Sequence, residues 1–170
     1  MKQLVRNVHI IGTGSYTPET VYTNEYLETI VPTSAKWIEE NLGIKERRIA
    51  LPNQTTSDLA AEAGRKAIEK AGLKPDDIDL IIVATATPDR LAPSTAAIVQ
   101  DKLKAYNSVA FDLAAVCSGF LFSISTASQF IATGVYNNAL VIGADTFSKI
   151  IDWSRRDCVF FGDGAGAAVL

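Results

Sequence analysis

The sequence has very few residues of the kinds that bind metals or form disulfides. One histidine, His9, and two cysteines, Cys117 and Cys158, occur among its 170 residues. No two of them have the spacing of a zinc site, so we expect no metal. A disulfide scaffold is also unexpected in a chain of this size that we place in the cytoplasm. Each cysteine is therefore either a core residue or a nucleophile.

The sequence also lacks the patterns of nucleic-acid-binding and membrane proteins. Its net charge is −3 and its charges are interspersed without a basic stripe, which argues against nucleic acid as a partner. No apolar run reaches the roughly 20 residues that span a bilayer, so we expect no membrane segment. Met1–Arg6 has no signal-peptide pattern. The composition, 48% hydrophobic and 21% charged, is that of an ordinary globular domain, which we expect to be cytoplasmic.

Short apolar runs alternate with helical patterns along the chain. The runs that predict strands are 8–11, 80–84, 109–113, 139–144 and 165–170. Helices are predicted after the N-cap residues Ser34 and Ser57, over 35–41 and 58–71, and from Ser94 to Leu103. The stretch Gly119–Ala132 is apolar nearly all round, which predicts a helix inside a domain. The alternation favours one α/β domain with a largely parallel sheet.

The segment with the clearest chemistry surrounds Cys117. A predicted strand, 109–113, runs into small residues, and the apolar helix begins directly after the cysteine. Unpaired N–H groups at a helix N-terminus favour a thiolate over a thiol. The backbone N–H of Cys117 is also a candidate donor to an oxyanion. From the local pattern alone, a buried structural cysteine is an equally good interpretation.

Two glycine-rich segments suggest nucleotide loops but do not fit them. Gly12-Thr13-Gly14 follows a predicted strand, yet Thr17 replaces the third glycine and Pro18 prevents a clean helix start. The segment 162–166 lacks the lysine and hydroxyl residue of a phosphate loop. Close backbone packing near the active site is the better interpretation of 162–166.

Five segments together resemble the beta-ketoacyl-ACP synthase III family of the thiolase superfamily. They are Ile10–Glu19, Trp37–Ile38 with Gly43–Ile49, Pro93–Ala96, Phe111–Phe120 and Phe161–Ala167. The resemblance covers the whole chain and implies one half of a duplicated fold. That half is an α/β unit with a five-stranded, mixed, mostly parallel sheet and helices on both faces.

The resemblance also implies an activity in fatty-acid biosynthesis. The cysteine at position 117 would take an acyl group from acyl-CoA, and malonyl-ACP would then lose carbon dioxide and condense with it. Such enzymes act as homodimers and use no cofactor beyond the acyl-CoA substrate. A related acyltransferase or ketide synthase of secondary metabolism is the alternative, as is a non-catalytic scaffold.

CoA-binding residues carry over only in part. The resemblance implies that Trp37 stacks on the CoA adenine and that Thr33 belongs to the same contact segment; packing of Trp37 on the core is the alternative. Arg155 and Arg156 precede the glycine-rich segment where the family has a CoA-binding arginine, and we favour Arg156. Two adjacent arginines are also compatible with a solvated surface.

Three positions depart from the family pattern or lie outside it. Asn41 replaces an arginine, which weakens the expected grip on the CoA phosphates, and Ala92 replaces a phenylalanine that closes the acyl pocket across the dimer. We therefore expect a primer longer than acetyl. Cys158 lies in an apolar segment and is predicted to pack in the core, whereas His9 is predicted to be structural or exposed.

The family's active site needs a histidine and an asparagine from its second half. His9 lies in no matching segment. The chain also stops at Leu170, within a predicted central strand. We therefore expect residues 1–170 to be an N-terminal half whose C-terminal half is absent. The 170 residues alone are expected to be inactive in the full condensation and to expose apolar surface.

Overall fold

The computed structural model describes residues 5–170, so residues 1–4 of the Met1–Arg6 segment lie outside it. Its strands are β1 (Gly12–Tyr16), β2 (Thr20–Thr23), β3 (Glu46–Ile49), β4 (Leu80–Ala84), β5 (Val109–Leu113), β6 (Ala139–Thr146) and β7 (Asp163–Val169). Its α-helices are α1 (Asn24–Glu28), α2 (Ala35–Leu42), α3 (Thr56–Lys70), α4 (Thr95–Leu103) and α5 (Gly119–Ala132). Short 3-10 turns cover Pro75–Asp77, Val116–Ser118, Phe147–Lys149 and Arg156–Phe160.

The main sheet has the order β1-β7-β6-β4-β5. Strands β4, β5 and β6 are parallel, and β7 is antiparallel to both β6 and β1. Four of the five strands therefore run in one direction, and β7 alone is reversed. The predicted mixed, mostly parallel five-stranded sheet is confirmed.

Helices cover both faces of this sheet because β4 and β6 carry apolar side chains on both of their faces. Ile81, Val83, Leu140 and Ile142 pack in one core with α3 and α4. Leu80, Ile82 and Val141 pack on the other face against Ala127 and Ile131 of α5. Each of these strand residues is fully buried, so the sheet is the centre of two separate cores.

Helix starts follow the predicted capping chemistry, with one correction. The hydroxyls of Ser34 and Ser94 accept hydrogen bonds from helix N–H groups, so both predicted N-caps are confirmed. Ser57, however, lies inside α3, and Thr55 is the N-cap. Thr55 forms a capping box with Asp58, and the Ser57 hydroxyl instead donates to the Asp89 carboxylate.

The first strand is not where the hydrophobic run 8–11 predicted it. That run is mostly exposed coil, and β1 begins at Gly12. A Cβ on Gly12 would lie 2.3 Å from the Ala67 carbonyl oxygen, and one on Gly14 would lie 2.2 Å from that of Ala63. Helix α3 thus packs directly on the backbone of β1, so the glycines make the strand possible where larger residues would not fit.

A small second unit was not predicted. Strands β2 and β3 form an antiparallel pair, and α1 and α2 pack beside them. Its core contains Leu27, Val31, Ile38, Cys158 and Val159. Because Cys158 and Val159 belong to the turn Arg156–Phe160, this unit holds the segment that precedes β7.

The composition of α5 predicted a helix enclosed on all sides, and this prediction is wrong for the described residues. Its Ser123, Ala127 and Ile131 side packs on the sheet and is buried. Leu121 and Phe122, on another side, are 66% and 54% exposed. Within residues 5–170 nothing packs over that apolar side.

Candidate active site

Cys117 lies on the turn that joins β5 to α5, as the sequence predicted, and its side chain is exposed. The residue before it, Val116, has φ +46°. A β-branched residue rarely adopts a positive φ, because its side chain then crowds the backbone. The turn therefore holds strain directly beside the thiol and presents the thiol outward.

The thiol also lies at a helix N-terminus. Ser118, next along the chain, is the N-cap residue of α5, and its hydroxyl makes no capping hydrogen bond. The Gly119 N–H donates to the carbonyl oxygen of Val116, and no side-chain cap covers this helix start. The positive end of the helix dipole therefore lies beside Cys117. The predicted placement of the cysteine is confirmed.

Two contacts fix the turn on either side of Cys117. Before it, the Asp112 carboxylate accepts hydrogen bonds from the backbone N–H groups of Thr95 and Ala96, at 2.8 and 2.7 Å. After it, Gly119 lies so close to β4 that a Cβ would be 3.0 Å from the Cβ of Ala84. The cysteine is therefore positioned by α4 on one side and by β4 on the other.

The loop between β4 and α4, residues 85–94, leaves the same edge of the sheet. The Asp145 carboxylate accepts hydrogen bonds from the backbone N–H groups of Ala86 and Thr87 at one end of this loop. Asp89 accepts two from Ser57, at 2.9 and 2.6 Å. The loop is anchored at these points, while Ala92 is exposed at its tip beside a fully exposed Leu91.

Trp37 and Arg156 come together as a stacked pair. The guanidinium carbon of Arg156 lies 4.1 Å from the ring centroid of Trp37, within cation–π distance. Trp37 extends from α2, and Arg156 begins the turn before β7. The two residues and their neighbours line an apolar cavity of about 290 Å³. We call this pair the Trp37–Arg156 clamp.

Of the two adjacent arginines, the structure brings only Arg156 to the tryptophan. Arg155 instead forms an exposed ion pair with Asp157, at 2.8 Å. Asn41, which stands where an arginine was expected, donates its amide to the carbonyl oxygen of Trp37 at 2.9 Å. Its amide is thus used within its own helix.

Thr33, which the resemblance implied to belong to the CoA-contacting segment, directly precedes Ser34, the N-cap of α2. The hydroxyl oxygen of Thr33 is buried and has no hydrogen-bond partner among residues 5–170. The role of Thr33 therefore stays a prediction.

Topology relates the clamp to the cysteine. The carboxyl ends of the parallel strands β5 and β6 lie at one edge of the sheet, and the reversed β7 begins at that edge. Cys117 follows β5, and the segment with Arg156 connects β6 to β7. Both groups therefore leave the sheet from the same edge, which is where α/β sheets commonly bind ligands.

The second cysteine has a different environment. Cys158 is 1% exposed within the core of the small unit. Burial raises the pKa of its thiol, and the nearby Arg47 guanidinium opposes this shift only in part. The predicted packing of Cys158 in the core is confirmed, and His9, before β1, is exposed.

Sequence reasoning missed several residues that build the site. Asp163, inside the glycine-rich segment, accepts hydrogen bonds from the backbone N–H groups of Ala50 and Ser148, at 2.7 and 2.9 Å. The backbone of Gly162 meets β3, since a Cβ there would lie 3.2 Å from the Cβ of Arg47. The predicted close packing of this segment is confirmed at Gly162 but not at Gly166, where a Cβ would meet no atom within 4 Å. An aspartate between two glycines was the available sequence signal for Asp163.

Two further findings concern what the described residues lack. In the part of the chain from 5 to 170, no group of three potential metal ligands is close enough to hold an ion. No helix there has the length and apolar character needed to cross a bilayer.

Comparisons with known proteins give a consistent result. Residues 111–170 match the family model of 3-oxoacyl-[acyl-carrier-protein (ACP)] synthase III. The chain is 60% identical to the beta-ketoacyl-[acyl-carrier-protein] synthase III of Caldanaerobacter subterraneus subsp. tengcongensis over 162 residues, which are 95% of this chain and 49% of that protein. The chain spans about half the length of the curated relatives it matches.

Solved structures agree in fold. The 3-oxoacyl-[acyl-carrier-protein] synthase III of Aquifex aeolicus superposes with a TM-score of 0.91 at 51% identity, over 94% of this chain and 52% of that one. The priming beta-ketosynthase of the R1128 polyketide pathway also reaches a TM-score of 0.91, at 37% identity, over 94% of this chain and 48% of that one.

Proposed function

This chain belongs to the beta-ketoacyl-ACP synthase III family and has its thiolase-like fold over about half the family's length, and we propose that Cys117 is the acyl-accepting nucleophile of such an enzyme. The observation that carries this proposal is the exposed thiol on a strained turn at the N-terminus of α5. A thiolate there is accessible to a thioester and lies in the positive field of the helix.

The first half-reaction transfers an acyl group from acyl-CoA to the protein. The Cys117 sulfur attacks the thioester carbonyl, and the backbone N–H of Cys117 donates to the oxyanion that forms. The bond from the carbonyl carbon to the CoA sulfur then breaks. CoA leaves as a thiolate that takes up a proton, and the acyl group stays on Cys117 as a thioester. No cofactor or metal takes part in this scheme.

The clamp is our candidate for the nucleotide end of acyl-CoA. Trp37 offers a π-face for the adenine, and Arg156 offers a planar cation that stacks on rings and attracts phosphates. Thr33 precedes α2 and belongs to the same segment. Asn41 is neutral and bonded within its helix, so Arg156 is the positive charge that we assign to this end.

The second half-reaction requires groups that these residues do not provide. We propose that malonyl-ACP is the second substrate and that a histidine, an asparagine and a second oxyanion donor come from the remaining half of a full-length protein. Residues 1–170 would then be the N-terminal domain of a cytoplasmic homodimer. The exposed side chains of Leu121 and Phe122 on α5 support an apolar contact with that second half.

Intact-mass analysis after exposure to acyl-CoA tests the nucleophile directly. We expect a mass gain of one acyl group in the chain and in a Cys158→Ala control, and none in Cys117→Ala. A gain that persists in Cys117→Ala, or no gain in the unaltered chain, would contradict the proposal. Condensation with malonyl-ACP by these 170 residues alone would overturn the requirement for a second half.

The length of the acyl primer depends on Ala92 in this proposal. A small side chain at the exposed tip of the 85–94 loop leaves room that a phenylalanine would fill. We expect acyl-CoA substrates longer than acetyl to load Cys117, and an Ala92→Phe variant to shift loading toward acetyl-CoA. Strict preference of the unaltered chain for acetyl-CoA would contradict this assignment.

A ketide synthase of secondary metabolism is the second candidate. The departures at Asn41 and Ala92 favour it, as does the similarity to a priming beta-ketosynthase of a polyketide pathway. Acceptor profiling of the full-length protein separates the two candidates. Malonyl-ACP of fatty-acid synthesis as the preferred acceptor supports the first, and a CoA-linked or small amine acceptor supports the second.

A further inference from the structure

Arg47 is a buried cation in the small unit. It lies on β3 and is 4% exposed. Its Nε and one terminal nitrogen both donate to the carbonyl oxygen of Val159, at 2.9 and 2.7 Å, and its other terminal nitrogen donates to Oδ1 of Asn24. Among residues 5–170 no carboxylate lies within ion-pair distance of this guanidinium.

A buried guanidinium without a counterion is unusual, because burial disfavours the charged form. Burial lowers the pKa of Arg47 accordingly. Two donors converge on one peptide carbonyl instead of on a carboxylate. The bonds of Arg47 therefore fix a segment of backbone in place, and the fixed segment is the turn Arg156–Phe160.

This arrangement connects both sides of the clamp. Val159 is three residues from Arg156 in the same turn, so fixing its carbonyl also fixes the position of the Arg156 backbone. Asn24, the other partner, starts α1 and donates its own amide to the carbonyl oxygen of Ile44 at 2.7 Å. Helix α1 packs on α2, which carries Trp37, in the core that also contains Val159.

We infer that Arg47 is a positioning residue that holds Arg156 over Trp37, and thereby determines recognition of the nucleotide part of acyl-CoA. The recognition part of this inference rests on the proposed function. The positional part rests on the hydrogen bonds alone. Arg47 itself is buried and touches no substrate in this scheme.

The positional part is tested by NMR on the chain without substrate. The indole ring current shifts the side-chain δ protons of Arg156 upfield while the clamp is stacked. We expect Arg47→Gln to lose most of that shift, and Arg47→Lys to lose part of it, because lysine keeps the charge but cannot donate two converging bonds. The matched control is Arg48→Gln, since Arg48 pairs with Glu46 and not with the turn.

The recognition part is tested by comparing two acyl donors. Acyl-CoA and the matching acyl-pantetheine present the same thioester, but only the first carries the nucleotide. For Cys117 loading, we expect Arg47→Gln to raise the apparent KM for acyl-CoA by ~10-fold, the effect of losing one stacking contact. The rate with acyl-pantetheine should stay within about twofold of the unaltered chain, because the reacting end is unchanged.

The possible outcomes are distinct. An Arg156 shift that survives in both Arg47 variants would overturn the inference, and so would equal losses with both donors, which indicate a general effect on the fold. If Arg47→Gln does not fold, Arg47→Lys decides by the same two measurements. Failure of the unaltered chain to load from acyl-CoA would contradict the proposed function, while the NMR result would still decide whether Arg47 positions Arg156.

Discussion

The two cysteines of this chain differ in their exposure to solvent and in the packing around them. Cys117 is exposed on a strained turn whose neighbours are small or lie outside any core, whereas Cys158 is enclosed by the apolar side chains of the small unit. One region stores backbone strain and leaves a sulfur accessible. In the other region, the cysteine packs as a small hydrophobic residue.

The difference shows that access to solvent separates the proposed nucleophile from a core residue of the same type. Both thiols lie near positive charge, since the Arg47 guanidinium is close to Cys158 and the positive end of the α5 dipole is close to Cys117. At Cys158 burial outweighs the cation, and the pKa is raised. Positive charge nearby is therefore not sufficient for reactivity without access to solvent.

The largest expected effect is the difference between the alkylation rates of the two thiols. With iodoacetamide near pH 8, we expect Cys117 to react at least ~100-fold faster than Cys158, because a buried thiol reacts only after local opening that costs on the order of 3 kcal/mol. Peptide mapping by mass spectrometry measures both rates. In denaturant the two rates should converge, and comparable rates in the native chain would contradict the comparison.

A serine at each position should change stability very unequally. Cys158→Ser places a hydroxyl in an apolar core and is expected to lower the free energy of unfolding by about 1–3 kcal/mol. Cys117→Ser should change it by less than about 0.5 kcal/mol, since the site is exposed. Urea unfolding followed by circular dichroism measures both. Equal losses would show that the Cys117 turn is more tightly packed than the structure indicates.

The strain at Val116 is expected to have a smaller, measurable effect. Val116→Gly relieves a positive φ at a β-branched residue, and we expect a net gain of about 1 kcal/mol in the free energy of unfolding. Val109→Gly is the control, because Val109 is a half-exposed strand residue and its loss should destabilise the chain. Urea midpoints compare the two variants. A loss of stability in Val116→Gly would mean that the valine side chain contributes packing that outweighs its strain.

The smallest expected effect concerns α5, the helix that follows Cys117. The Ser123 hydroxyl is buried and has no partner within residues 5–170. Ser123→Ala removes that unsatisfied group, and we expect a gain of roughly 0.5–1 kcal/mol beyond helix propensity. Ser125→Ala, at an exposed position of the same helix, measures the propensity gain alone. Identical gains in the two variants would indicate that Ser123 is satisfied in solution.

The buried parallel strands were the most predictable part of the fold. Leu80–Ala84 has the predicted bounds, because a strand covered on both faces forms a continuous apolar run. Val109–Leu113 also has its predicted bounds, although it is an edge strand with partly exposed side chains. The caps Ser34 and Ser94 were also predictable, since their hydroxyls precede helical patterns. In the site, the position of Cys117 at a strand-to-helix turn followed from the same signals.

The unpredicted features depend on contacts between distant segments. Strand β3 contains Glu46, Arg47 and Arg48, a charged run that resembles a solvated surface, yet Arg47 is buried through its bonds to Val159, far along the chain. The positive φ of Val116 could not be predicted from the residue type, because valine avoids that conformation. Such features are fixed by tertiary packing rather than by local preference.

In the proposed function, the stacked contact of Arg156 competes with the adenine ring for the face of Trp37. An aromatic ring inserted between them needs about 3.5–4 Å on each side, so it must displace a guanidinium that lies 4.1 Å from the ring centroid. The observed dissociation constant is then the intrinsic one divided by the fraction of molecules with an open tryptophan. Removing the arginine deletes a binding contact and also frees the tryptophan. In the proposed binding mode, the net change in affinity, like the KM increase expected for Arg47→Gln, would therefore understate how strongly Arg156 holds a ring.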